Sequence, residues 1–183
     1  MNHRDGETAG WRVGETVELE NFGKFRVLAL DAKSPRTGET IIFKIVDRAP
    51  SVIVIPFTDD GRVITVRQFR PGIQAASIEL PAGLLDKNEQ PVEGARRELE
   101  EETGYKADSF EIVGEVFHDP AILTSKVTFI AAHGCRPVGE RNQDEAEDVH
   151  TQLFSAQEVD AMIARKEIRH AVVIAAWLMA KQA

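Results

Sequence analysis

The sequence predicts an α/β fold with a small β-rich segment at its start. Three observations carry this prediction: β-branched runs fill most of residues 11–80, a helical pattern occupies residues 91–103, and further helical patterns close the chain. In such a chain the spacing of hydrophobic residues changes from a period of 2 in the strands to a period of 3.6 in the helices. This change is typical of α/β proteins. The chain has 183 residues, 43% of them hydrophobic, which is enough apolar material for one folded domain.

The first half of the chain is predicted to form strands and turns. Residues 11–49 alternate apolar and polar stretches, broken by turn residues at 34–38, and predict several short strands. Residues 51–57 and 62–67 are rich in Val and Ile and flank an Asp60-Gly61 pair. That arrangement is a strong signal for a β-hairpin.

A helix is predicted beyond the next strand. That strand ends at Leu80, because the residues from Pro81 to Gly83 interrupt it. Pro91 suits the first position of a helix, and Gly104 suits a left-handed cap at its end. The helix is therefore expected to cover residues 91–103.

The last third of the chain combines strands, a polar segment and two helices. Residues 133–150 are polar, and their length favours either a functional role or disorder. Ser155 and Glu158 have the spacing of a capping box, which predicts a helix through Arg165. The remaining predicted elements are strands at 110–117, 126–132 and 152–154, and a helix at 170–181.

The charge of the chain limits its partners. There are 22 Lys and Arg residues against 30 Asp and Glu residues, for a net charge of -8, the wrong sign for a protein that binds nucleic-acid phosphates. The longest apolar run, residues 171–180, is about half as long as a helix that crosses a bilayer. We therefore expect neither nucleic acid nor a membrane as a partner.

The N-terminal residues and the cysteine content favour the cytoplasm. Residues 1–8 are polar, unlike the apolar segment of a secretory signal. Cys135 is the single cysteine, so the chain cannot form an internal disulfide. We expect a cytoplasmic protein.

Three glutamates on the predicted helix point to metal chemistry. Glu98, Glu101 and Glu102 stand at i, i+3 and i+4, so their side chains share one face of the helix. Like charges at this spacing repel one another, unless water screens them or a cation lies between them. A solvated acidic face is the simpler interpretation, and the surrounding residues decide against it.

Those residues resemble the Nudix box. The motif is Gly, five residues, Glu, seven residues, then Arg-Glu-aliphatic-any-Glu-Glu-any-Gly and a bulky residue, and the chain departs from it only in having Tyr105 where an aliphatic residue is usual. Seven chance matches are not credible at average residue usage. The seven fixed positions are Gly83, Glu89, Arg97, Glu98, Glu101, Glu102 and Gly104.

The resemblance implies a site for Mg²⁺, with Mn²⁺ as a substitute and two or more ions. Such hard cations prefer oxygen ligands, and the ligands implied are the Ala82 carbonyl, Glu98, Glu101 and Glu102. Glu101 is also a candidate catalytic carboxylate. The other fixed residues, Gly83, Glu89, Arg97 and Gly104, are implied to be structural, with a salt bridge joining Glu89 to Arg97.

Flanking residues resemble ADP-ribose and related nucleoside diphosphate sugar pyrophosphatases. Residues 67–71 read Arg-Gln-Phe-Arg-Pro and residues 78–83 read Ile-Glu-Leu-Pro-Ala-Gly. Pro120 has the spacing from the box that marks ADP-ribose pyrophosphatases, although the triplet here is Asp-Pro-Ala rather than Ser-Pro-Gly.

Three substrate-binding residues are implied by this subfamily resemblance. Arg70 is expected to grip the diphosphate bidentately, the alternative being a surface arginine at a strand end. Glu79 is expected to contact the ribose or a metal-bound water, the alternative being a structural ion pair. Phe43 and Trp11 are candidates to stack on the base, although aromatic residues in strands more often belong to a core.

The polar segment supplies candidates for the catalytic base. In ADP-ribose pyrophosphatases a glutamate on a loop before the last strand positions or deprotonates the attacking water. Glu147 matches that place best and Glu145 is the alternative. A solvated acidic loop without a catalytic role is the third interpretation.

The resemblance therefore implies a Nudix α/β/α sandwich with a mixed central sheet, at residues 49–183, and a small N-terminal antiparallel β-element at residues 1–48. By analogy the N-terminal element dimerises or covers substrate, in a homodimer. The implied reaction is hydrolysis of ADP-ribose to AMP and ribose 5-phosphate. The alternatives are a GDP-mannose or broad nucleotide-sugar and dinucleotide pyrophosphatase, and a sensor that binds a nucleotide without cleaving it.

Overall fold

The computed structural model describes residues 8–138 and 149–182, which form eleven strands and three helices. The strands are β1 Arg12–Asn21, β2 Phe25–Lys33, β3 Thr40–Arg48, β4 Ser51–Thr58, β5 Arg62–Arg70, β6 Ala75–Glu79, β7 Ala82–Leu84, β8 Tyr105–Lys106, β9 Ser109–Phe117, β10 Lys126–Pro137 and β11 His150–Ser155. The helices are α1 Pro91–Thr103, α2 Ala156–Ala164 and α3 Ala171–Ala180.

Two compact units divide the chain. The first consists of the residues up to Ala49 together with Phe117–Ser125, and the second of Pro50–Val116 together with the residues from Lys126 onward. In the first unit, β1, β2 and β3 pair in sequence order as an antiparallel sheet. The antiparallel N-terminal element is thus confirmed. Its strands have nine or ten residues rather than being short, and β1 pairs with β2 through two register shifts.

The second unit contains an eight-stranded mixed sheet. Its central path runs β11-β5-β4-β10-β8, while β6 pairs with β5, β7 with β4 and β9 with β10. The β4 and β10 strands are parallel, whereas β5 is antiparallel to β4, β6 and β11. The predicted hairpin forms, and Gly61 at its turn has a φ of +77°, which glycine adopts without strain.

Helices cover both faces of this sheet. Val52 and Val54 of β4 pack in one cluster with Leu99 of α1. Ile53 and Ile55 of the same strand pack in a second cluster with residues of α2 and α3. Because successive side chains of a strand point to opposite faces, α1 lies on one side and α2 and α3 on the other. The α/β/α architecture is confirmed.

The predicted strand end before Pro81 is confirmed to within one residue, because β6 ends at Glu79. The sequence did not predict the next strand: Ala82–Leu84 forms β7 and pairs antiparallel with Ser51–Ile53 of β4. Pro81 lies before the strand, where its missing N–H removes no ladder bond, and its carbonyl accepts a hydrogen bond of 2.8 Å from the Val54 N–H.

The helix boundaries agree closely with the sequence. α1 begins at Pro91 and ends at Thr103, and the capping residue Gly104 has a φ of 71° and donates its N–H to the Glu100 carbonyl. The capping box of Ser155 and Glu158 is present at the start of α2. In the described part of the chain, none of the helices has the length and apolarity that crossing a membrane requires.

Candidate active site

α1 carries the three predicted metal-binding glutamates at different depths. Glu98 and Glu102 are buried, at 9% and 3% exposure, whereas the Glu101 side chain is 42% exposed. Buried carboxylates are unfavourable unless cations or hydrogen-bond donors compensate them. The helix therefore holds two buried acidic side chains whose negative charge depends on the donors around them.

The backbone of β7 lies directly against these side chains. A Cβ atom at Gly83 would stand 1.8 Å from Oε1 of Glu98, a distance that no real contact allows. The neighbouring Ala82 N–H donates a hydrogen bond of 3.0 Å to Oε2 of Glu102. Residue 83 must therefore lack a side chain if the Glu98 carboxylate is to keep the position that it has. Ala82, the preceding residue, lies beside Glu102.

Arg97 joins the loop after β7 to the glutamates of α1. Its Nε and Nη2 atoms donate to the two carboxylate oxygens of Glu89 at 3.0 and 2.9 Å, and Nη2 also donates to the Leu84 carbonyl. Its Nη1 atom donates to Oε1 of Glu98 at 2.6 Å and to Oε2 of Glu101 at 3.1 Å. One guanidinium thus bridges three carboxylates, an arrangement suited to its planar set of donors.

The charges in this network reinforce one another. The hydrogen bonds from Arg97 lower the pKa of Glu89. The hydrogen bond to Glu89, followed by those to Glu98 and Glu101, raises the pKa of Arg97 despite the opposing effect of burial. Both groups therefore remain charged, and the ion pair fastens the loop to the helix.

The donor set fits a hard divalent cation. The site offers carboxylate oxygens of Glu98, Glu101 and Glu102 and the adjacent backbone of Ala82, and a cationic group of Arg97 already lies between two of these carboxylates. Across residues 8–138 and 149–182, no three His, Cys, Asp or Glu side chains are gathered as ready-made metal ligands. Arg97 contacts Glu98 and Glu101, and the Ala82 N–H contacts Glu102.

Arg70 and Glu79 form a second charged group. Nε and Nη2 of Arg70 donate to Oε1 and Oε2 of Glu79 at 3.0 and 2.6 Å. Nδ1 of His170 lies 3.1 Å from Oε2 of the same carboxylate. Burial alone would raise the pKa of Glu79, which is 2% exposed, but the contacts with His170 and Arg70 outweigh it and lower the pKa to about 2.

This group lines a cavity of about 740 Å³. Arg70 and Glu79 face the cavity from β5 and β6, and His170 faces it from the residue before α3. A structural ion pair was the alternative interpretation of Glu79, and Glu79 does pair with Arg70. The ion pair is compatible with substrate binding by Arg70, because the Arg70 side chain stays 39% exposed.

Phe43 and Trp11 belong to the first unit. Their rings meet edge to face, with centroids 5.7 Å apart, and Phe43 is 40% exposed. An edge-to-face pair with an exposed member remains available for stacking on a ligand. Glu145 and Glu147 lie outside the described residues.

His170 is the member of this group that the sequence did not reveal. It is ninety-one positions from Glu79 in the chain and directly precedes an apolar helix, so no local pattern connects the two. Its position as the residue that begins α3 was the one available signal, because histidine is not among the residues preferred there.

Comparisons with known proteins agree on one family. The NUDIX domain profile matches residues 47–177. The chain is 32% identical over 158 residues to an ADP-ribose pyrophosphatase of Bacillus subtilis, covering 84% of this chain and 85% of that protein. It is 30% identical over 166 residues to an ADP-ribose pyrophosphatase of Mycobacterium tuberculosis, covering 88% and 80%.

A solved structure supports the fold independently. The crystal structure of an ADP compounds hydrolase superimposes with a TM-score of 0.82, covering 94% of this chain and 92% of that one at 19% sequence identity. At this identity the likeness establishes the fold alone, and the residues of the site must support the chemistry.

Proposed function

The chain belongs to the Nudix family, and from that premise we propose that it is a pyrophosphohydrolase that cleaves the diphosphate of a nucleoside diphosphate sugar, with ADP-ribose as the first choice. The observation that carries this proposal is the burial of Glu98 and Glu102 against the backbone of Ala82 and Gly83. The names of the similar ADP-ribose pyrophosphatases support the choice of substrate.

Glu98, Glu101, Glu102 and the Ala82 carbonyl are proposed to hold Mg²⁺, in two or more ions, with Mn²⁺ as a substitute. When bound, such ions neutralise charge that develops on the phosphoryl group and acidify an attacking water. Arg97 keeps Glu98 and Glu101 on the same side of the helix through its hydrogen bonds. The Glu89–Arg97 pair has the structural role of holding the loop in register with α1.

Arg70 is proposed to bind the diphosphate of the substrate. Its two hydrogen bonds to Glu79 fix the plane of the guanidinium beside the cavity. Because the side chain is already ordered, it loses no rotamer freedom when substrate binds. Glu79 acts here through Arg70. Phe43 is proposed to stack on the base.

Glu147, with Glu145 as the alternative, is proposed to position the attacking water or accept its proton. Both lie in the acidic segment 139–148, where six of ten residues are Asp, Glu or Arg by sequence. A carboxylate is a suitable acceptor for a water already made more acidic. Glu101 is the candidate from the box itself.

The first unit is proposed to form the interface of a homodimer and to cover substrate. Apolar side chains exposed in its sheet include Val17 at 61%, Ile42 at 66% and Val13 at 55%. Exposed apolar groups concentrated in one region mark interaction surfaces. A Val17→Glu variant that sediments at half the parent's mass would support the dimer, and an unchanged monomeric mass would contradict it.

The cytoplasm is the proposed location. Cys135 is buried, and burial raises the pKa of its thiol to about 12, so the thiol stays protonated and unreactive. This is consistent with a reducing compartment.

The decisive experiment measures phosphomonoester release from a panel of diphosphates. ADP-ribose, GDP-mannose, NADH, diadenosine polyphosphates and 8-oxo-dGTP are each incubated with Mg²⁺, with Mn²⁺ and with a chelator. We expect ADP-ribose to have the highest kcat/KM and the chelator to abolish turnover. Binding of ADP-ribose without cleavage under every condition would instead support a nucleotide sensor.

A further inference from the structure

The cavity beside Arg70 is lined by charged groups from three parts of the second unit. Arg70 comes from β5 and Glu79 from β6, while Glu167, Arg169 and His170 come from the connection between α2 and α3. A cavity with convergent charged groups is a common form of ligand site. The connection between the helices therefore takes part in the walls of the site.

Glu79 is the centre of this group. Its side chain is 2% exposed, so its negative charge depends on the cations around it. Oε2 lies 2.6 Å from Nη2 of Arg70 and 3.1 Å from Nδ1 of His170. One carboxylate oxygen is thus shared between a permanent cation and a side chain that can become one.

The location of His170 is not explained by helix capping. It is the residue before α3, with φ -71° and ψ 110°, and its side chain makes no capping hydrogen bond. The imidazole instead directs Nδ1 to Glu79. The side chain is therefore used for the cavity and not for the helix.

The contact between His170 and Glu79 is an ion pair when the imidazole is protonated. Nδ1 of His170 is buried and lies 3.1 Å from Oε2 of Glu79. The contact lowers the pKa of Glu79 through hydrogen bonding and through charge. Histidine is the side chain whose charge ordinarily changes between about pH 5 and 8.

We propose that His170 is a positioning residue for Arg70: it acts through Glu79 to hold the guanidinium towards the substrate diphosphate, and its protonation strengthens diphosphate binding. This inference rests on the proposed function. With a neutral imidazole, Arg70 and Glu79 sum to zero charge, and with a protonated imidazole the three groups sum to +1. Glu167 and Arg169 also line the cavity, and Glu167 is paired with Arg165, whose Nε lies 2.7 Å from Oε1 of Glu167.

The test compares His170→Asn with His133→Asn in steady-state hydrolysis of ADP-ribose between about pH 5.5 and 8. Asparagine keeps an N–H donor but cannot become charged. His133 stacks on Phe57 at the other end of the sheet. The His133→Asn variant therefore keeps all the ionisable groups of the substrate and the metal site that the parent has. We expect the KM of the control and the parent to rise with pH by about two- to fivefold. We expect the KM of His170→Asn to stay at the high value throughout, with kcat little changed.

Two results would overturn the inference. One is a KM profile for His170→Asn that follows the control, and the other is a kcat that falls as much as kcat/KM. His170→Gln provides a second neutral variant if the first is unstable.

Failure of the proposed function can be recognised separately. If the parent hydrolyses no nucleotide sugar, that function fails, and calorimetric binding of inorganic pyrophosphate over the same pH range tests His170 instead. Pyrophosphate affinity that declines with pH in the control but not in His170→Asn supports the inference. Equal dependence in both overturns it.

Discussion

Gly83 and Glu98 are so close that a methyl group on the glycine would lie 1.8 Å from the carboxylate oxygen Oε1. The nearest atoms belong to the far end of a flexible side chain, so the protein can relieve the clash by moving the carboxylate. A side chain at residue 83 therefore acts on the position of Glu98 more than on the stability of the fold.

The first prediction is that Gly83→Ala lowers kcat by about 10²-fold with little loss of thermal stability, because displacement of a group by about 1 Å has effects of this size. Gly114→Ala is the matched control: its Cβ would stand 2.5 Å from Cε of Met179, with no carboxylate nearby. The control should keep its kcat, because its clash is with the flexible end of Met179 and not with a carboxylate. Equal kcat values for the two variants, measured with ADP-ribose, would show that Gly83 has no role in the catalytic step.

The second prediction concerns Glu102. Glu102→Gln should lower kcat by at least about 10³-fold, since it removes a charged ligand that stabilises the transition state. Glu100→Gln, on the same helix and paired with Lys106 at 3.0 Å, should keep near-parental activity. Turnover close to the parent in folded Glu102→Gln would show that this carboxylate is not a ligand.

The third prediction concerns Arg70. Arg70→Ala should raise the KM for ADP-ribose by about tenfold or more and change kcat less, because charged hydrogen bonds to the diphosphate are made in both ground and transition states. Arg62→Ala, at the opposite end of β5 and exposed with Asp60, serves as the control. If KM is unchanged in Arg70→Ala, the residue is a surface arginine without a role in binding.

The fourth prediction separates the two loop glutamates. Glu147→Gln should reduce kcat by about 10²- to 10⁴-fold and leave metal affinity nearly unchanged, the size expected for loss of a general base. Glu145→Gln should behave like the parent. A loss confined to Glu145→Gln would shift the assignment by two residues, and activity in both variants would make the segment a solvated connection.

The fifth prediction links Glu79 to acid stability. Its pKa falls from 4.5 to about 2 on folding, so its contribution is present above about pH 4.5 and disappears as the pH falls towards 2. A fall in pKa of this size corresponds to about 3 kcal/mol. Urea unfolding of Glu79→Gln should therefore show a smaller loss of free energy of unfolding over this window than the parent. Parallel curves would mean that Glu79 has no net favourable partners.

Local features of the fold could be predicted because their signals lie within a few residues. Pro91 and Gly104 delimit α1 through the geometry of helix ends, and Ser155 and Glu158 define the start of α2 through reciprocal hydrogen bonds. The fixed spacing of the glutamates on α1 likewise follows from helical periodicity.

Other features depend on contacts that no local pattern encodes. β7 was missed because its stability comes from pairing with β4 rather than from its own three residues. The approach of His170 to Glu79 and the bridging of Glu98 and Glu101 by Arg97 are set by tertiary packing and rotamer choice. The sequence could predict on which helix or strand each chemical group lies. It could not predict which other side chains each group contacts.

Ser51 of β4 pairs in parallel with Val127 of β10, near the centre of the sheet. Before that pairing can form, the chain must close a long loop that contains α1 and its glutamates, and such non-local closure slows folding. β1, β2 and β3 pair only with neighbours in sequence. Val52 and Val54 of β4 pack in one cluster with Leu99 of α1. Their amide protons should therefore exchange with solvent only when the sheet around α1 opens, and their exchange rate reports whether the glutamate helix is docked.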